Sequence, residues 1–182
     1  MADPAHATEV IEAHIRTVPD FPRPGISFKD ITPLIEDGRA LHTAVDALAG
    51  TAENISYDRV LSAEARGFVF GTALAYRAKK GLILARKPNK LPRETISAAY
   101  DLEYGTDALE AHADSIPEGT RVLVSDDLLA TGGTARAMCQ LVENAGGTVA
   151  GVAFLIELAY LRGREKLEPY EVVSLITYHD PD

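Results

Sequence analysis

Residues 121–134 read R-V-L-V-S-D-D-L-L-A-T-G-G-T, and the architecture of the chain can be worked out from this stretch. Residues 122–124, V-L-V, form an apolar, β-branched run of the kind found in a strand that a parallel sheet buries on both faces. Asp126 and Asp127 end the run, and two adjacent carboxylates are costly to desolvate. The pattern therefore predicts a buried strand that stops at its exposed carboxyl end, where it carries two aspartates.

The segment after the aspartates has the composition of a phosphate site. L-A-T-G-G-T leads into a helical pattern over residues 135–145, which stops at Gly146-Gly147. A strand, a glycine-containing turn and a helix N-terminus present free backbone N–H groups and the positive end of the helix dipole. Thr131 and Thr134 add hydroxyls, and the neighbouring carboxylates suit sugar hydroxyls or a magnesium ion. The stretch predicts a ribose-phosphate site, with an ordinary turn capped by aspartates as the alternative.

Two other phosphate-binding loops do not fit the spacing. The nucleoside triphosphate loop requires G-x-x-x-x-G-K-[ST], and no lysine follows Gly133. The dinucleotide fingerprint requires G-x-G-x-x-G, which this turn lacks.

The whole-chain composition limits the class of protein. The 182 residues are 46% hydrophobic, which predicts a single domain over residues 1–182 with a substantial core. A net charge of −9 argues against nucleic acid or an anionic membrane as the principal partner. Cys139 is the single cysteine, so no intramolecular disulfide is expected. With no apolar signal core and no apolar stretch long enough to span a bilayer, we expect a soluble cytoplasmic protein.

Strand and helix patterns alternate along the chain, which predicts a mostly parallel, twisted α/β sheet flanked by helices on both faces. In such a sheet the site lies at the carboxyl ends of the strands. The strands are predicted at residues 60–61, 82–85, 109–114, 122–124, 148–158 and 172–178, and the helices at 8–18, 41–50, 68–77 and 135–145, with a further short helix at 163–169.

Two further segments have the composition of binding loops. Residues 20–33, D-F-P-R-P-G-I-S-F-K-D-I-T-P, are too rich in proline for regular structure and too apolar for a solvated linker. An irregular apolar flap of this kind suits a flat purine, which needs a stacking face and backbone hydrogen bonds at its edge. Arg66 lies in a turn that leads into a helix, so it suits a second anion or a structural ion pair with Glu64.

These motifs carry a family resemblance that runs from Phe21 to Tyr178. D-D-L-L-A-T-G-G-T resembles the phosphoribosyl-pyrophosphate signature of the type I phosphoribosyltransferases, and its L-L-A form is similar to the branch that acts on adenine. Residues 22–31 resemble the family's base-covering hood, and E-A-R-G-F resembles its pyrophosphate loop. R-K-P-N-K-L-P-R-E-T and Y-D-L-E-Y-G are similar to its catalytic loop and the strand after it. Ser125 departs from the family's aliphatic residue, and we expect its hydroxyl to bond locally.

The resemblance implies transfer of a phosphoribosyl group to adenine, with AMP and pyrophosphate as products, Mg²⁺ as cofactor, and a homodimer. It implies an N-terminal hood at about residues 19–35, with Phe28 stacked on the base. It also implies Glu103 and Arg66 as catalytic residues. The ribose and its 5′-phosphate would be held by Asp126, Asp127, Leu129, Ala130, Thr131, Gly132, Gly133 and Thr134; pyrophosphate by Glu64, Ala65, Arg66, Arg86, Lys87 and Lys90; and adenine by Ile26, Ser27, Phe28 and Lys29.

Some expectations concern charge and mobility. Taken alone, Lys29 is predicted to be a solvated surface charge. Residues 86–103 combine prolines with several cations and few apolar anchors, so we expect a mobile lid that closes over pyrophosphate.

Three alternatives remain at this point. A transferase for another purine, such as hypoxanthine, guanine or xanthine, would need a hydrogen-bond donor in the base site where an adenine site has an acceptor. A nucleic-acid-binding regulator would need a basic face, and a phospho-acceptor domain would need a separate phosphorylated aspartate.

Overall fold

A parallel sheet lies at the centre of the computed structural model, which describes residues 4–102 and 105–181. The helices and strands follow in chain order as α1 (Pro4–Ala13), β1 (Arg16–Val18), β2 (Phe28–Asp30), α2 (Thr32–Glu36), α3 (Gly38–Thr51), β3 (Arg59–Ala63), α4 (Gly67–Arg77), β4 (Gly81–Ala85), β5 (Thr95–Leu102), β6 (Gly105–His112), β7 (Arg121–Leu129), α5 (Gly133–Asn144), β8 (Thr148–Leu158) and β9 (Val172–Tyr178). Short 3-10 helices span Ala113–Ser115, Ala159–Leu161 and Gly163–Leu167.

The sheet order is β4-β3-β7-β8-β9, and every neighbouring pair is parallel. Residues of β7 alternate between two cores, as a strand buried on both faces must. Leu123 packs with α3 and α4 on one face, whereas Val122 and Val124 pack with α5 on the other. The predicted α/β architecture is confirmed, and it brings the loops after β3 and β7 to the same edge of the sheet.

The central strand does not stop at the aspartates as predicted. β7 continues to Leu129, because the long neighbouring strand β8 offers it partners up to the register pair of Leu129 with Glu157. Asp126 and Asp127 therefore lie inside the strand near its carboxyl end, and each is only 8% exposed. The expectation of an exposed acidic pair was wrong.

β5 and β6 form a separate antiparallel ribbon that packs on α5. Ala98, Leu109 and Ala111 are buried, so one face of the ribbon joins the core beside that helix. A backbone bridge between Arg86 and Glu110 ties the ribbon to the end of β4. The strand predicted at 109–114 thus ends at His112 and is exposed on one face only.

The N-terminal region is more regular than its prolines suggest. α1 ends at Ala13, not at Val18, because residues 16–18 instead pair antiparallel with residues 28–30 as β1 and β2. The hood, residues 19–35, therefore contains a strand and most of α2. Within the described ranges, none of the helices has the length and apolarity needed to cross a membrane.

Candidate active site

A cavity of about 420 Å³ opens at the carboxyl edge of the sheet. Its walls are residues 64–66, after β3, and residues 126–135, from the end of β7 to the start of α5. The peptide bond between Glu64 and Ala65 is cis. The predicted ribose-phosphate residues and the predicted pyrophosphate loop, which are distant in sequence, thus line one space.

The wall formed by residues 130–134 has the geometry of an anion site. Gly132 is the N-cap of α5 and has φ 79°, a left-handed conformation that favours glycine. It supplies no capping side chain, so the first N–H groups of α5 point outward at the positive end of the helix dipole. Thr131 and Thr134 line the same cavity. A phosphate group is the ligand that this arrangement suits best.

The acidic pair is close to one cation. Asp127 Oδ2 accepts a hydrogen bond of 2.7 Å from Arg66 Nε, and Asp126 Oδ1 accepts one of 3.0 Å from the Asp127 backbone N–H. Burial, and next the neighbouring Asp127 carboxylate, raise the pKa of Asp126 well above 3.8. A ligand whose hydroxyl groups donate hydrogen bonds to these carboxylates would add to the few hydrogen bonds that the buried acids already accept.

Arg66 connects the acidic pair to the hood. Its guanidinium carbon lies 5.1 Å from the centroid of the Phe28 ring, within cation–π distance. Phe21 meets Phe28 edge-on at 5.0 Å, and Ile26 is 43% exposed beside them. The Oγ of Ser27 is buried and has no hydrogen-bond partner in the part of the chain that the structure describes. An aromatic surface thus lies next to the cationic side of the cavity.

Glu64 pairs with the next loop rather than with Arg66. It accepts hydrogen bonds from Arg86 Nη2 at 3.0 Å and from the Lys87 backbone N–H. The Lys87 N–H and the Arg86 guanidinium hold the pKa of Glu64 below its usual value. The alternative interpretation of Arg66 as the ion-pair partner of Glu64 was therefore wrong, since its partner is Asp127.

The segment predicted as a poorly anchored lid is anchored. Lys87 Nζ forms an ion pair with Asp107, and Arg86 Nη1 donates to the Lys90 carbonyl at 3.2 Å. Ile96 and Tyr100 pack against the core, so the apolar anchors exist. The expectation of few anchors was wrong because Ile96, Ala98 and Tyr100 alternate along β5 and share the face that packs on the core. Glu103, the predicted catalytic glutamate, lies outside the described residues.

Lys29 is not the solvated surface charge that was expected. It is 3% exposed, and its Nζ donates to Thr17 Oγ1 at 3.0 Å and to the Pro181 carbonyl at 3.2 Å. The same ammonium lies 4.5 Å from the centroid of the Tyr178 ring. These contacts occupy the side chain, so a contact between Lys29 and adenine would have to come from its backbone.

Sequence reasoning missed the residues that support the site from behind. A Cβ on Gly67 would lie 2.2 Å from Asp126 Oδ1, so only glycine lets α4 start so close to the acidic pair. The Oγ of Ser62 lies within hydrogen-bond distance of the carbonyls of Gly67, at 2.8 Å, and Ser125, at 2.7 Å. The glycine directly after Arg66 was the available sequence signal; Ser62 gave none.

The Ser125 hydroxyl does not bond locally as expected. It is fully buried, and its Oγ has no hydrogen-bond partner among the described residues. Ser125→Ala removes this unpaired group and should raise the free energy of unfolding by about 1 kcal/mol. Ser62, its register partner in β3, is a matched control, because Ser62→Ala removes a hydroxyl that is hydrogen-bonded and should be destabilising. Urea denaturation of both variants measures the difference, and a loss of stability in Ser125→Ala would contradict the assignment.

The parallel sheet, together with the two loops that line the cavity, residues 64–66 and 130–134, defines a class of enzyme. A family model described as a phosphoribosyl transferase domain matches residues 34–180. The chain belongs to the phosphoribosyltransferase family.

Individual relatives cover nearly the whole chain. Adenine phosphoribosyltransferase of Rubrobacter xylanophilus is 71% identical over 174 residues, which are 95% of this chain and 94% of that one. A crystal structure of adenine phosphoribosyltransferase from Thermoanaerobacter pseudethanolicus has a TM-score of 0.92 at 51% identity and covers 94% of this chain and 99% of that one. The Saccharomyces cerevisiae enzyme, in complex with an imino-altritol bisphosphate and adenine, has a TM-score of 0.88 at 34% identity and covers 94% and 99%.

Proposed function

We propose that this protein transfers the 5-phosphoribosyl group of phosphoribosyl pyrophosphate to N9 of adenine, producing AMP and pyrophosphate in purine salvage. The observation that carries the proposal is the cavity in which a phosphate-binding turn, an acidic pair and Arg66 lie beside an aromatic hood. The high identity to adenine phosphoribosyltransferases supports the choice of adenine.

The turn of residues 130–134, with Leu129 before it, would hold the 5′-phosphate. This phosphate does not react, so its binding energy serves to position C1′ for attack. Asp126 and Asp127 would accept hydrogen bonds from the ribose 2′- and 3′-hydroxyls. Their negative charge also suits the positive charge that the ribose develops as the C1′–O bond breaks.

The departing pyrophosphate needs donors and positive charge on its side of the cavity. Arg66 lines the cavity together with Glu64 and Ala65. Arg86, Lys87 and Lys90 lie on the loop that Glu64 holds. To reach pyrophosphate, Lys87 would exchange its Asp107 partner for phosphate oxygens. These groups together would stabilise the leaving group.

The base would lie against Phe28, with the backbone of residues 26–29 at its edge. Glu103 would manage the adenine proton, either as general base or as a partner of N7. Adenine would then approach C1′ from the hood side, opposite the pyrophosphate.

Mg²⁺ fits the oxygen-rich chemistry of this site. Asp126 and Asp127 offer the hard carboxylate oxygens that Mg²⁺ prefers. Within residues 4–102 and 105–181, no group of three or more His, Cys, Asp or Glu side chains is arranged to hold a metal. We propose that the ion is held mainly by the donor's own oxygens. When bound, it neutralises part of the pyrophosphate charge.

The wider setting is also part of the proposal. We expect one domain over residues 1–182, a homodimer, cytoplasmic localisation, and no nucleic-acid or membrane partner. The net charge of −9 supports the last point. Light scattering on the purified protein tests the homodimer.

Adenine with phosphoribosyl pyrophosphate and Mg²⁺ should give AMP, and hypoxanthine should be a substrate with kcat/KM at least about 10²-fold lower. The 6-amino group of adenine donates a hydrogen bond where the 6-oxo group of hypoxanthine accepts one, so the wrong base leaves a buried partner unpaired. Pyrophosphate release measured with adenine, hypoxanthine, guanine and xanthine decides between the bases. Equal turnover of hypoxanthine would show a transferase for a different purine, and no release with any base would reject the transferase activity itself.

A further inference from the structure

Two glycines from distant parts of the chain touch behind the phosphate-binding turn. A Cβ on Gly163 would lie 2.1 Å from the Ala130 carbonyl oxygen and 2.9 Å from the Gly132 nitrogen. A Cβ on Gly132 would lie 2.4 Å from the Gly163 carbonyl oxygen. Neither position has room for a side chain while the other segment stays in place. The backbone at Gly163 is therefore the surface against which residues 130–132 rest.

The residue after Gly163 fixes this surface to the sheet. Arg164 Nε donates to Glu157 Oε1 at 2.9 Å, Arg164 Nη2 donates to Glu157 Oε2, and Arg164 Nη1 donates to the Val172 carbonyl at 2.7 Å. Ser174 Oγ adds a hydrogen bond to Glu157 Oε2 at 2.7 Å. One guanidinium thus joins the 3-10 helix at Gly163–Leu167 to both β8 and β9.

Burial of its carboxylate distinguishes the Arg164–Glu157 ion pair from the one beside it, although the Arg164 side chain is itself half exposed. Glu157 is 5% exposed, and the bidentate arrangement gives charge-assisted bonds in fixed geometry. The Arg164 and Ser174 hydrogen bonds hold the pKa of Glu157 below its usual value. In contrast, the neighbouring pair of Arg162 and Glu165 has side chains that are 75% and 58% exposed. Such surface pairs contribute little to stability.

Glu157 also lies where it can affect the turn. It is the register partner of Leu129, the last residue of β7 before the phosphate-binding turn. A phosphate held by backbone N–H groups depends on the placement of that backbone, and a displacement of about 1 Å can cost about 10² in rate.

We propose that Glu157 and Arg164 are positioning residues for the donor's 5′-phosphate, acting through Gly163 on the turn of residues 130–134. They do not contact the phosphate themselves. This inference rests on the proposed function, because it takes that turn to be the 5′-phosphate site.

The test is Glu157→Gln, with Glu165→Gln as a matched control, because Glu165 forms the exposed ion pair with Arg162. Calorimetry measures affinity for ribose 5-phosphate and, separately, for magnesium pyrophosphate, because only the first ligand uses the turn. In Glu157→Gln we expect ribose 5-phosphate affinity to fall about 10- to 100-fold. Pyrophosphate affinity should stay within about twofold, and Glu165→Gln should change neither. KM for phosphoribosyl pyrophosphate should rise in Glu157→Gln while KM for adenine does not.

Gly163→Ala tests the contact directly. Gly163 does not have a positive φ, so alanine is strained there only by its contacts with Ala130 and Gly132. Ribose 5-phosphate binding should fall at least as much as in Glu157→Gln. If Glu157→Gln does not fold, Arg164→Lys replaces it, because lysine keeps the charge but loses the bidentate geometry. The same titrations with ribose 5-phosphate and with magnesium pyrophosphate then test the inference.

Three results would overturn the inference: unchanged ribose 5-phosphate affinity in Glu157→Gln, an equal loss of affinity for both ligands, or an equal effect of Glu165→Gln. Failure of the proposed function would look different. In that case the unmodified protein itself would not bind ribose 5-phosphate or form AMP.

Discussion

Arg66→Met should lower kcat by about 10²- to 10³-fold, the range seen when one preorganised electrostatic partner is removed from an active site. The Arg66 side chain lines the cavity and is 45% exposed, so it can reach a ligand. It has two roles in the proposed reaction, since it faces the departing pyrophosphate and also balances Asp127 at 2.7 Å. Methionine keeps an unbranched apolar stem like that of arginine but removes the guanidinium and its charge.

The effect should appear in turnover more than in folding. Arg77→Met is a suitable control, because Arg77 lies at the other end of α4 in a pair with Asp46 at 2.8 Å that is far more exposed. Steady-state kinetics and thermal unfolding of both variants separate the two effects. A kcat reduced less than about threefold in Arg66→Met would reduce Arg66 to a structural partner of Asp127.

Asp126→Asn should raise the free energy of unfolding at pH 7 by about 1–3 kcal/mol and lower turnover by at least about 10²-fold. Asp126 is buried beside a second carboxylate, and Arg66 lies nearer to Asp127 than to it. An amide avoids the cost of burying that charge, but it accepts a ribose hydroxyl less well and provides no negative charge beside the developing cation.

The stabilising effect of Asp126→Asn should depend on pH. The pKa of Asp126 is raised on folding, so the unfolded chain releases this proton at lower pH than the folded protein does. Above about pH 3.8 the carboxyl therefore makes the folded state progressively less stable, up to its folded pKa. The gain in stability from Asp126→Asn should vanish below about pH 3.8 and should grow as the pH rises toward the folded pKa of Asp126. Urea denaturation of the ligand-free protein without Mg²⁺, from pH 3.5 to 8, measures it; a variant less stable at pH 7 would contradict the account.

The sequence predicts the elements whose burial follows from local composition. β8 and β9 have the predicted bounds because each is a long run in which apolar residues predominate. The end of β7 was misplaced because the pairing of Leu129 with Glu157 depends on the length of another strand. Desolvation cost alone predicted an exposed acidic pair; the tertiary structure instead places Arg66 beside it.

The residues that sequence analysis misjudged or missed depend on contacts between distant segments. Lys29 is buried because Tyr178 and Pro181 come to its side of the hood, and nothing near Lys29 in sequence indicates this. Gly163 was predicted only as part of a short helix, and its contact with Ala130 is visible only in three dimensions. Local patterns therefore predicted the residues that line the site better than those that hold it.

The contact between Gly132 and Gly163 has a consequence for how this sequence can change over evolutionary time. A substitution at one position must displace the opposing backbone, and once displaced, that backbone offers the second position more room. The effects of changes at the two sites should therefore not add. Divergence at either glycine is expected to be accompanied by a compensating change in the other segment, so the two positions share one evolutionary history.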